Sequence, residues 1–525
     1  MTARRPCPPA PGPLEEYAAR FDDLFFSLAQ RRGFREYLTG LLAPRDRNKT
    51  LTCLAGAEPM AGAGGPLVQR LQFFLSESPW EAEQVNDRRL ELLREQEATA
   101  PHDGGVIVID ESGDRKDGTA TAHVGRQWLG RYGKTDNGIV TVTTVWTDGR
   151  VYYPLHTQPY TPAHHFDRGR ADPAFRTKPQ ISATLAAQGK EAGFACRAVV
   201  ADCAYSTSDD WYLALRDAGL PYVVALKPHR GSWARADEPR TPIDAARALA
   251  GTGPGHPGDW TPVERHFRDG HTETWWTADA RLSGYGPNSP CRLVVATTDP
   301  GRLPGNATWY LATNLPHPDA PHATTSPHAP AGLAEIVRLY GLRPRIEQSY
   351  KQIKDELGWA DFQVRSARAI KRHQTLVNCA FSFCWDRWFA PPGTLDATAP
   401  DPCPDDGPER GPGHTLTSPS RLAGPGPYAP SAPGSPPPPP STAGGRPGRT
   451  RTHPPSSKPC STRSPLADLL TSTAGINELP VTRPDRVWEA QYSVSLPCGR
   501  RPLARRCVAT TPAARRPVSP DGDWP

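Results

Sequence analysis

Four side chains that could take part in catalysis lie close together in the segment YGLRPRIEQSYKQIK. They are an aromatic hydroxyl, a carboxylate and two cations: Tyr340, Arg343, Glu347 and Lys354. On an α-helix, steps of three, four and seven residues return to one face. One acid between cations suits a metal ligand held beside a phosphodiester. The alternative is an ordinary solvated helix face with ion pairs three and four residues apart.

Two further carboxylates follow short apolar segments earlier in the chain. Asp110 ends the run GVIVI, and Asp202 ends the run AVVA. Continuous runs of this kind predict strands that are buried on both faces. Either segment alone is also typical of a strand that simply ends in a turn. Both together, in this order before Glu347, favour a nuclease site with two acids on strands and one on a helix.

The Tyr-x2-Arg-x3-Glu-x6-Lys spacing, together with the two strand acids, resembles the DDE transposases of cut-and-paste insertion sequences. The segments GDRKDG and VGRQW after Asp110 agree with this family. Two departures leave the acids intact: Trp128 stands where tyrosine is usual, and Ser206 where glycine is common. The resemblance implies an α/β fold with an RNase H-like mixed-sheet catalytic core. It also implies a β-rich insertion domain and an N-terminal helical domain.

The first hundred residues are predicted to be helical. Apolar residues recur with a helical period from Leu14 to Gln30. Further helices are predicted at 34–42, 66–75 and 81–97. By resemblance, residues 1–100 form a domain that binds the transposon ends. A purely structural or dimerising bundle is the alternative.

Residues 101–389 are predicted to form the catalytic core. Between the second and third acids, alternating segments separated by turn residues predict a β-rich insertion at about 230–330. Either Trp275 or Trp276 could stack on a flipped base at the transposon end. We favour packing within the insertion for both.

Residues 390–525 change character sharply. Pro, Gly, Ser, Thr and Arg dominate, with five consecutive prolines at 436–440. Such a composition cannot bury enough apolar surface to offset chain entropy, which predicts a disordered tail. A frameshift in GC-rich DNA is a second hypothesis, and it raises the question whether this copy is active.

The resemblance implies a function and a set of residue roles. Asp110, Asp202 and Glu347 would be catalytic and would bind Mg²⁺, with Mn²⁺ as a substitute. The enzyme would cleave transposon ends and transfer the strands into target DNA. Its partners would be double-stranded DNA, meaning terminal inverted repeats and target, and a second copy in a homodimeric synaptic complex.

DNA contacts are expected from the cations around and after Glu347. By resemblance, Tyr340, Arg343 and Lys354 would hold phosphates near the scissile end. The basic run that follows extends this surface, because Lys and Arg supply most phosphate contacts. It contributes Arg365, Arg368, Lys371 and Arg372. A solvated charged face is the alternative.

Two other functions compete with an active transposase. One is a catalytically inactive, transposase-derived DNA-binding protein, and the other is a different RNase H-like nuclease. The net charge of +6 is mild, so DNA binding must rest on local patches. Eleven scattered cysteines indicate a reducing compartment and give no support to a zinc site. Without a signal peptide or an apolar run of bilayer length, we expect a cytoplasmic protein with no membrane contact.

Overall fold

A ten-stranded mixed sheet organises the described part of the chain. The computed structural model describes residues 5–60, 62–231, 238–267, 270–283 and 291–390. The predicted tail at 390–525 therefore lies, apart from its first residue, outside the described residues. The strands are β1 Val106–Arg115, β2 Gly125–Leu129, β3 Lys134–Thr147, β4 Tyr152–Pro159, β5 Ala198–Ala201, β6 Tyr222–Ala225, β7 Thr261–His266, β8 Thr272–Leu282, β9 Cys291–Thr297 and β10 Thr308–Thr313.

The sheet combines an antiparallel part and a parallel part. Its order is β2-β3-β1-β5-β6-β10-β9-β8-β7, and β4 also pairs with β3. Strand β1 is antiparallel to β3 and parallel to β5, and β5 is parallel to β6. Strands β5 and β6 are short and apolar, and β5 is buried throughout, as its sequence predicted. This arrangement confirms the mixed α/β class and is consistent with an RNase H-like core.

Strands β7 to β10 lie within the region 230–330. They form an antiparallel series in which β10 pairs with β6. These strands therefore extend the same sheet that carries β1 and β5. The buried middle of β8 and the nearly complete burial of β9 give this region its apolar side.

Eleven α-helices accompany the sheet in the described residues. They are α1 Leu14–Ala19, α2 Leu28–Leu42, α3 Leu51–Leu54, α4 Pro66–Ser76, α5 Ala82–Glu95, α6 Lys178–Glu191, α7 Asp209–Asp217, α8 Pro242–Arg247, α9 Leu333–Gly341, α10 Pro344–Asp355 and α11 Ala367–Trp388. None of these helices is long and apolar enough to cross a bilayer.

The helix predicted from Leu14 to Gln30 is interrupted. Helix α1 ends at Ala19, and α2 begins at Leu28. Ser27 accepts a hydrogen bond from the Gln30 amide while the Gln30 side chain accepts one from the Ser27 amide. This capping box starts a second helix within the segment that the apolar period predicted as a single helix.

Helix α11 ties the N-terminal helices to the sheet. Its Cys379 carbonyl accepts a hydrogen bond from the Tyr17 hydroxyl at 3.2 Å. The fully buried Arg89 of α5 donates to Ser382 of α11 at 3.1 Å, and to the Pro154 and Leu155 carbonyls of β4 at 2.8 Å each. The N-terminal helices and the catalytic sheet thus share one buried core.

Candidate active site

Strand β1 presents Asp110 and Glu111 to opposite faces of the sheet, because successive side chains alternate. Glu111 Oε1 pairs with Lys178 Nζ of α6 at 2.8 Å. Ile107 also faces α6, since a Cβ added at Gly189 would lie 3.2 Å from its Cδ1. Asp110 points instead to the face that carries Arg343. Of the two neighbouring acids in the DE pair, only Asp110 therefore faces the candidate site.

Asp202 lies level with Asp110, directly after the neighbouring parallel strand β5. Val108 of β1 is in register with Val200 of β5, so both acids follow two residues further along. Asp202 Oδ1 accepts a hydrogen bond from the Ala204 amide at 2.9 Å, within the turn that ends β5. The strand register and this turn together bring the second carboxylate to the first.

The segment from Tyr340 to Lys354 is not one continuous helix. Tyr340 lies near the end of α9, and α10 begins at Pro344, with Arg343 as its N-cap. Proline has no amide hydrogen to donate, so the ladder breaks here. Around this break the backbone hydrogen bonds join residues three apart instead of four, as from the Arg343 amide to the Tyr340 carbonyl. The expectation of a single helical stripe was wrong, and Pro344 is the physical reason.

The guanidinium of Arg343 contacts all three predicted acids. Its Nη1 lies 2.7 Å from Glu347 Oε1, one turn further along α10. Its Nη2 lies 3.3 Å from Asp110 Oδ2 and 3.8 Å from Asp202 Oδ2. The structure therefore brings Asp110, Asp202 and Glu347 together around a single cation. The exposure of the three side chains rises from 14% for Asp110 through 31% for Asp202 to 59% for Glu347.

Burial and like charge perturb the protonation of this group. Burial raises the pKa of Asp110 to about 7; Arg343 opposes this shift and the Asp202 carboxylate adds to it. Burial alone would lower the pKa of Arg343, but the surrounding acids and Tyr340 outweigh it, so this pKa is raised. The guanidinium thus stays charged and compensates carboxylates that would otherwise repel one another.

The donor chemistry of this group fits a hard divalent cation, since carboxylate oxygens are the ligands such ions prefer. Within the described residues, no group of three or more His, Cys, Asp or Glu side chains is close enough to hold a metal ion by itself. The Arg343 guanidinium lies between the carboxylates, and this planar cation is larger than a metal ion, so it holds them further apart.

Tyr340 belongs to an aromatic cluster between α9 and the insertion strands. Its ring meets Trp309 edge-on at 4.9 Å, and Trp309 lies 4.6 Å from Trp275. The Arg265 guanidinium lies over both tryptophans, at 4.3 and 4.4 Å from the ring centroids. Burial raises the pKa of Tyr340 to about 12. Trp275 is buried and Trp276 is partly buried against the core, which agrees with the packing role that we favoured for both.

The cations predicted to contact DNA fall into two groups. Arg365 and Arg368 are exposed at the start of α11, and Lys371 is partly exposed and pairs with Glu83. Arg372 is buried, and its guanidinium donates to the carbonyls of Leu75 and Trp80.

Lys354 is buried as well, and its Nζ lies 2.5 Å from Asp114 Oδ1. Arg372 and Lys354 are therefore already paired inside the protein, and their contact with DNA phosphates stays a prediction.

Two residues near the site were not singled out from the sequence. The Tyr350 hydroxyl donates to the main-chain carbonyl of Asp110 at 3.0 Å, and Asp114 is the partner of Lys354. Tyr350 follows Glu347 by three residues, so the helical period alone could have placed it on the same face. Asp114 gave no comparable signal, since its pairing spans 240 residues.

Comparison with known proteins identifies the class to which this fold and acid set belong. A family model described as DDE superfamily endonuclease matches residues 20–282, which include both strand acids. A second model, described as Transposase DDE domain, matches residues 191–383, which include Asp202 and Glu347. The chain belongs to the DDE transposases of insertion sequences, a family of divalent-metal enzymes.

One relative extends this similarity over most of the chain. It is described as a probable transposase for insertion sequence element IS701, from Microchaete diplosiphon. The two sequences are 31% identical over 365 residues, which cover 69% of this chain and 85% of the relative.

Proposed function

We propose that this transposase is a Mg²⁺-dependent endonuclease and strand transferase that acts on the ends of its own insertion sequence. The observation that carries the proposal is the convergence of Asp110, Asp202 and Glu347 on the Arg343 guanidinium. Three carboxylates that converge in this way repel one another, so a group of this kind is typical of a site that binds a cation. The family of the chain supports the same reaction class.

Asp110, Asp202 and Glu347 would hold the divalent cations, and Mn²⁺ should substitute for Mg²⁺. When bound, these cations supply charge stabilisation for the attacking and leaving oxygens of an in-line displacement. Even with Arg343 beside it, burial raises the pKa of Asp110 to about 7, so a bound divalent cation would help to keep this carboxylate ionised near neutral pH.

The reaction would proceed in two phosphoryl transfers. In the first, water attacks the phosphorus at the transposon end and the P–O3′ bond breaks, which leaves a free 3′-hydroxyl and a 5′-phosphate. In the second, that hydroxyl attacks a phosphodiester of the target and the target's 3′-oxygen leaves, so no covalent enzyme intermediate forms. Arg343 lies among the three acids, and its planar guanidinium would suit bidentate contact with a phosphate bound beside them.

Partner binding is proposed on the same basis. Terminal inverted repeats and target DNA would be the substrates, with phosphates contacted by the exposed Arg365 and Arg368 and by Lys371. A homodimer would bring two ends together in the synaptic complex. The cysteines of the described residues are free thiols, which is consistent with action in the reducing cytoplasm.

The test is cleavage and strand transfer on a duplex that carries the terminal sequence of the element. Glu347→Gln removes the negative charge and keeps the size of the side chain. We expect it to abolish Mg²⁺-dependent cleavage while leaving end binding intact. Glu335→Gln is the matched control, because Glu335 pairs with Arg197 at 2.6 Å, away from the three acids. Wild-type cleavage by Glu347→Gln would contradict the proposal. Cleavage without strand transfer by the wild type would favour a different nuclease.

A further inference from the structure

The hairpin formed by β2 and the start of β3 lies at one edge of the sheet. Among the described strands, β2 pairs only with β3, along residues 134–138. Gly138 is also opposite Arg115, the last residue of β1, so the hairpin continues beyond the end of its neighbour. Gly133 near the tip has a φ of 60°, which glycine adopts without strain. We refer to residues 125–138 as the β2–β3 hairpin.

One side of β2 is fixed in the protein interior. Leu129 is fully buried, and a Cβ added at Gly113 of β1 would lie 2.6 Å from its Cδ2. The side-chain amide of Gln127 donates to a main-chain carbonyl of β3 at 3.2 Å. Because side chains alternate along a strand, Arg126 and Trp128 point the opposite way, and both are exposed. The hairpin therefore presents these two side chains from a firmly packed support.

The exposed side chains of the hairpin are cationic or aromatic. Its segment GRQWLGRYGK contains three cations, two aromatic residues and no acid. Trp128 is 57% exposed and Tyr132 is 48% exposed. Within the described residues, no ion pair is formed by Arg126. Tryptophan, tyrosine and arginine together are typical of a binding surface, whereas a merely solvated edge carries few exposed aromatic rings.

Two contacts place the hairpin beside the proposed active site. At its tip, Arg131 Nη2 lies 4.0 Å from Oδ1 of Asp355, the last residue of α10. Before its base, the Ala122 amide donates to the Arg365 carbonyl at 2.9 Å. Asp355 follows Glu347 by eight residues, which span about 12 Å of helix or roughly three to four base pairs of DNA. A duplex held at the acids would thus reach the hairpin within a few base pairs of the cleaved phosphate.

We propose that the β2–β3 hairpin binds the major groove of the transposon-end duplex, with Arg126 on a phosphate and Trp128 against base edges. The proposal rests on the proposed function, because it takes the cleaved end as the substrate. The major groove is about 12 Å wide and admits a two-stranded ribbon, whereas the minor groove is only about 6 Å wide. Cations supply phosphate contacts, and apolar side chains contact the methyl groups of thymine.

Charge favours DNA over a second copy of the chain at this edge. An unpaired edge strand can pair with the edge of another molecule. In such a pair, the three cations of one hairpin would meet the three of the other, with no acid in the segment to offset them. A DNA groove instead has phosphates along both of its sides, which complement these cations.

Fluorescence anisotropy across a salt series tests the surface, with the full chain, a duplex of the terminal sequence and no divalent cation. We expect Arg126→Met to lower the slope of log K against log salt by about one unit. Trp128→Ala should weaken binding roughly tenfold at an unchanged slope, because it removes an uncharged contact. Both residues are exposed, so the urea midpoints should stay those of the wild type.

Arg216→Met is the matched control for the loss of an exposed arginine. Helix α7 connects the end of β5 to the start of the parallel strand β6. Arg216, in its last turn, therefore lies at the opposite end of these strands from Asp202. This variant should keep both the affinity and the salt slope of the wild type.

Modified duplexes locate the contact. A methylphosphonate carries no charge, so at one position within about six base pairs of the cleavage site it should weaken wild-type binding and cost Arg126→Met nothing further. Dimethyl sulfate methylates guanine N7 in the major groove and adenine N3 in the minor groove. Interference at guanine N7 in the same base pairs is expected. Interference confined to adenine N3 would overturn the assignment of the groove.

The remaining outcomes separate this surface from its rivals. An unchanged slope in Arg126→Met would overturn DNA contact. Dimer loss by Trp128→Ala in sedimentation, with wild-type DNA binding, would assign the hairpin to contact between copies. Weaker binding to an unrelated duplex alone would assign it to target DNA. Wild-type binding without cleavage would refute the proposed function and leave the hairpin assignment standing, whereas wild-type cleavage with unchanged slopes would refute the hairpin assignment alone.

Discussion

Removing the Arg343 side chain should destabilise the free protein and strengthen its response to Mg²⁺. In Arg343→Met, Asp110 and Asp202 lose the guanidinium nitrogen that lies 3.3 and 3.8 Å from them, and Glu347 loses a partner at 2.7 Å. Three carboxylates then face one another without a compensating cation. Because like charges disfavour ionisation, the pKa of Asp110 should rise above its value of about 7 in the wild type.

The size of the effect follows from how enclosed the acids are. Breaking a fully buried ion pair costs roughly 3–5 kcal/mol. Here the Glu347 side chain is 59% exposed, so its contact contributes little. Asp110 can also relieve the repulsion by binding a proton. We therefore expect a loss of about 1–2 kcal/mol in the free energy of unfolding at neutral pH.

Urea unfolding with and without Mg²⁺ measures both parts of the prediction. In Arg343→Met a divalent cation no longer competes with the guanidinium, so saturating Mg²⁺ should raise the unfolding midpoint more than in the wild type. Arg338→Met is the control, since Arg338 is exposed and its nearest acceptor is the Gly104 carbonyl at 3.4 Å. Equal midpoints and equal Mg²⁺ shifts in wild type and Arg343→Met would refute the reasoning.

Two further predictions concern the buried side chains of His373 and Arg372. Burial lowers the pKa of His373 to about 4, so below its ordinary value of 6.5 the unfolded chain binds a proton that the native ring does not. Between pH 7 and 4.5 the wild type should therefore lose about 2 kcal/mol more stability than His373→Gln, measured by urea unfolding at both pH values; an identical pH dependence would contradict this. Arg372→Met should cost roughly 3 kcal/mol of stability without changing the salt slope of DNA binding, whereas Arg368→Met should keep its stability and lose about one unit of slope. Fluorescence anisotropy across a salt series measures the slope, and a reduced slope in Arg372→Met would show that the buried site opens to DNA.

Local sequence patterns predicted much of what surrounds the acids. Apolar runs placed Asp110 on β1 and Asp202 directly after β5, because strands buried on both faces leave a strong signature. Two helix starts were not predicted, although Ser27 and Pro344 are residue types that commonly begin helices. In both cases the apolar or polar period continued across the break and concealed it.

Long-range pairings were beyond any local pattern. The contact between β10 and β6, which joins the insertion strands to the core sheet, links segments about 90 residues apart. The burial of Lys354 depends on Asp114, which lies 240 residues away along the chain. Charge alone predicted DNA contact for Lys354 and Arg372, and only their three-dimensional neighbours show that both cations are already paired.

The central claim is that Asp110, Asp202 and Glu347 form one divalent-cation site. Titration of Mn²⁺ into the complex with terminal-repeat DNA, followed by electron paramagnetic resonance, tests it most directly. Asp110→Asn, Asp202→Asn and Glu347→Gln should each weaken or abolish the bound Mn²⁺ signal, whereas Glu335→Gln should keep the wild-type signal. Wild-type Mn²⁺ binding in all three variants would contradict the claim.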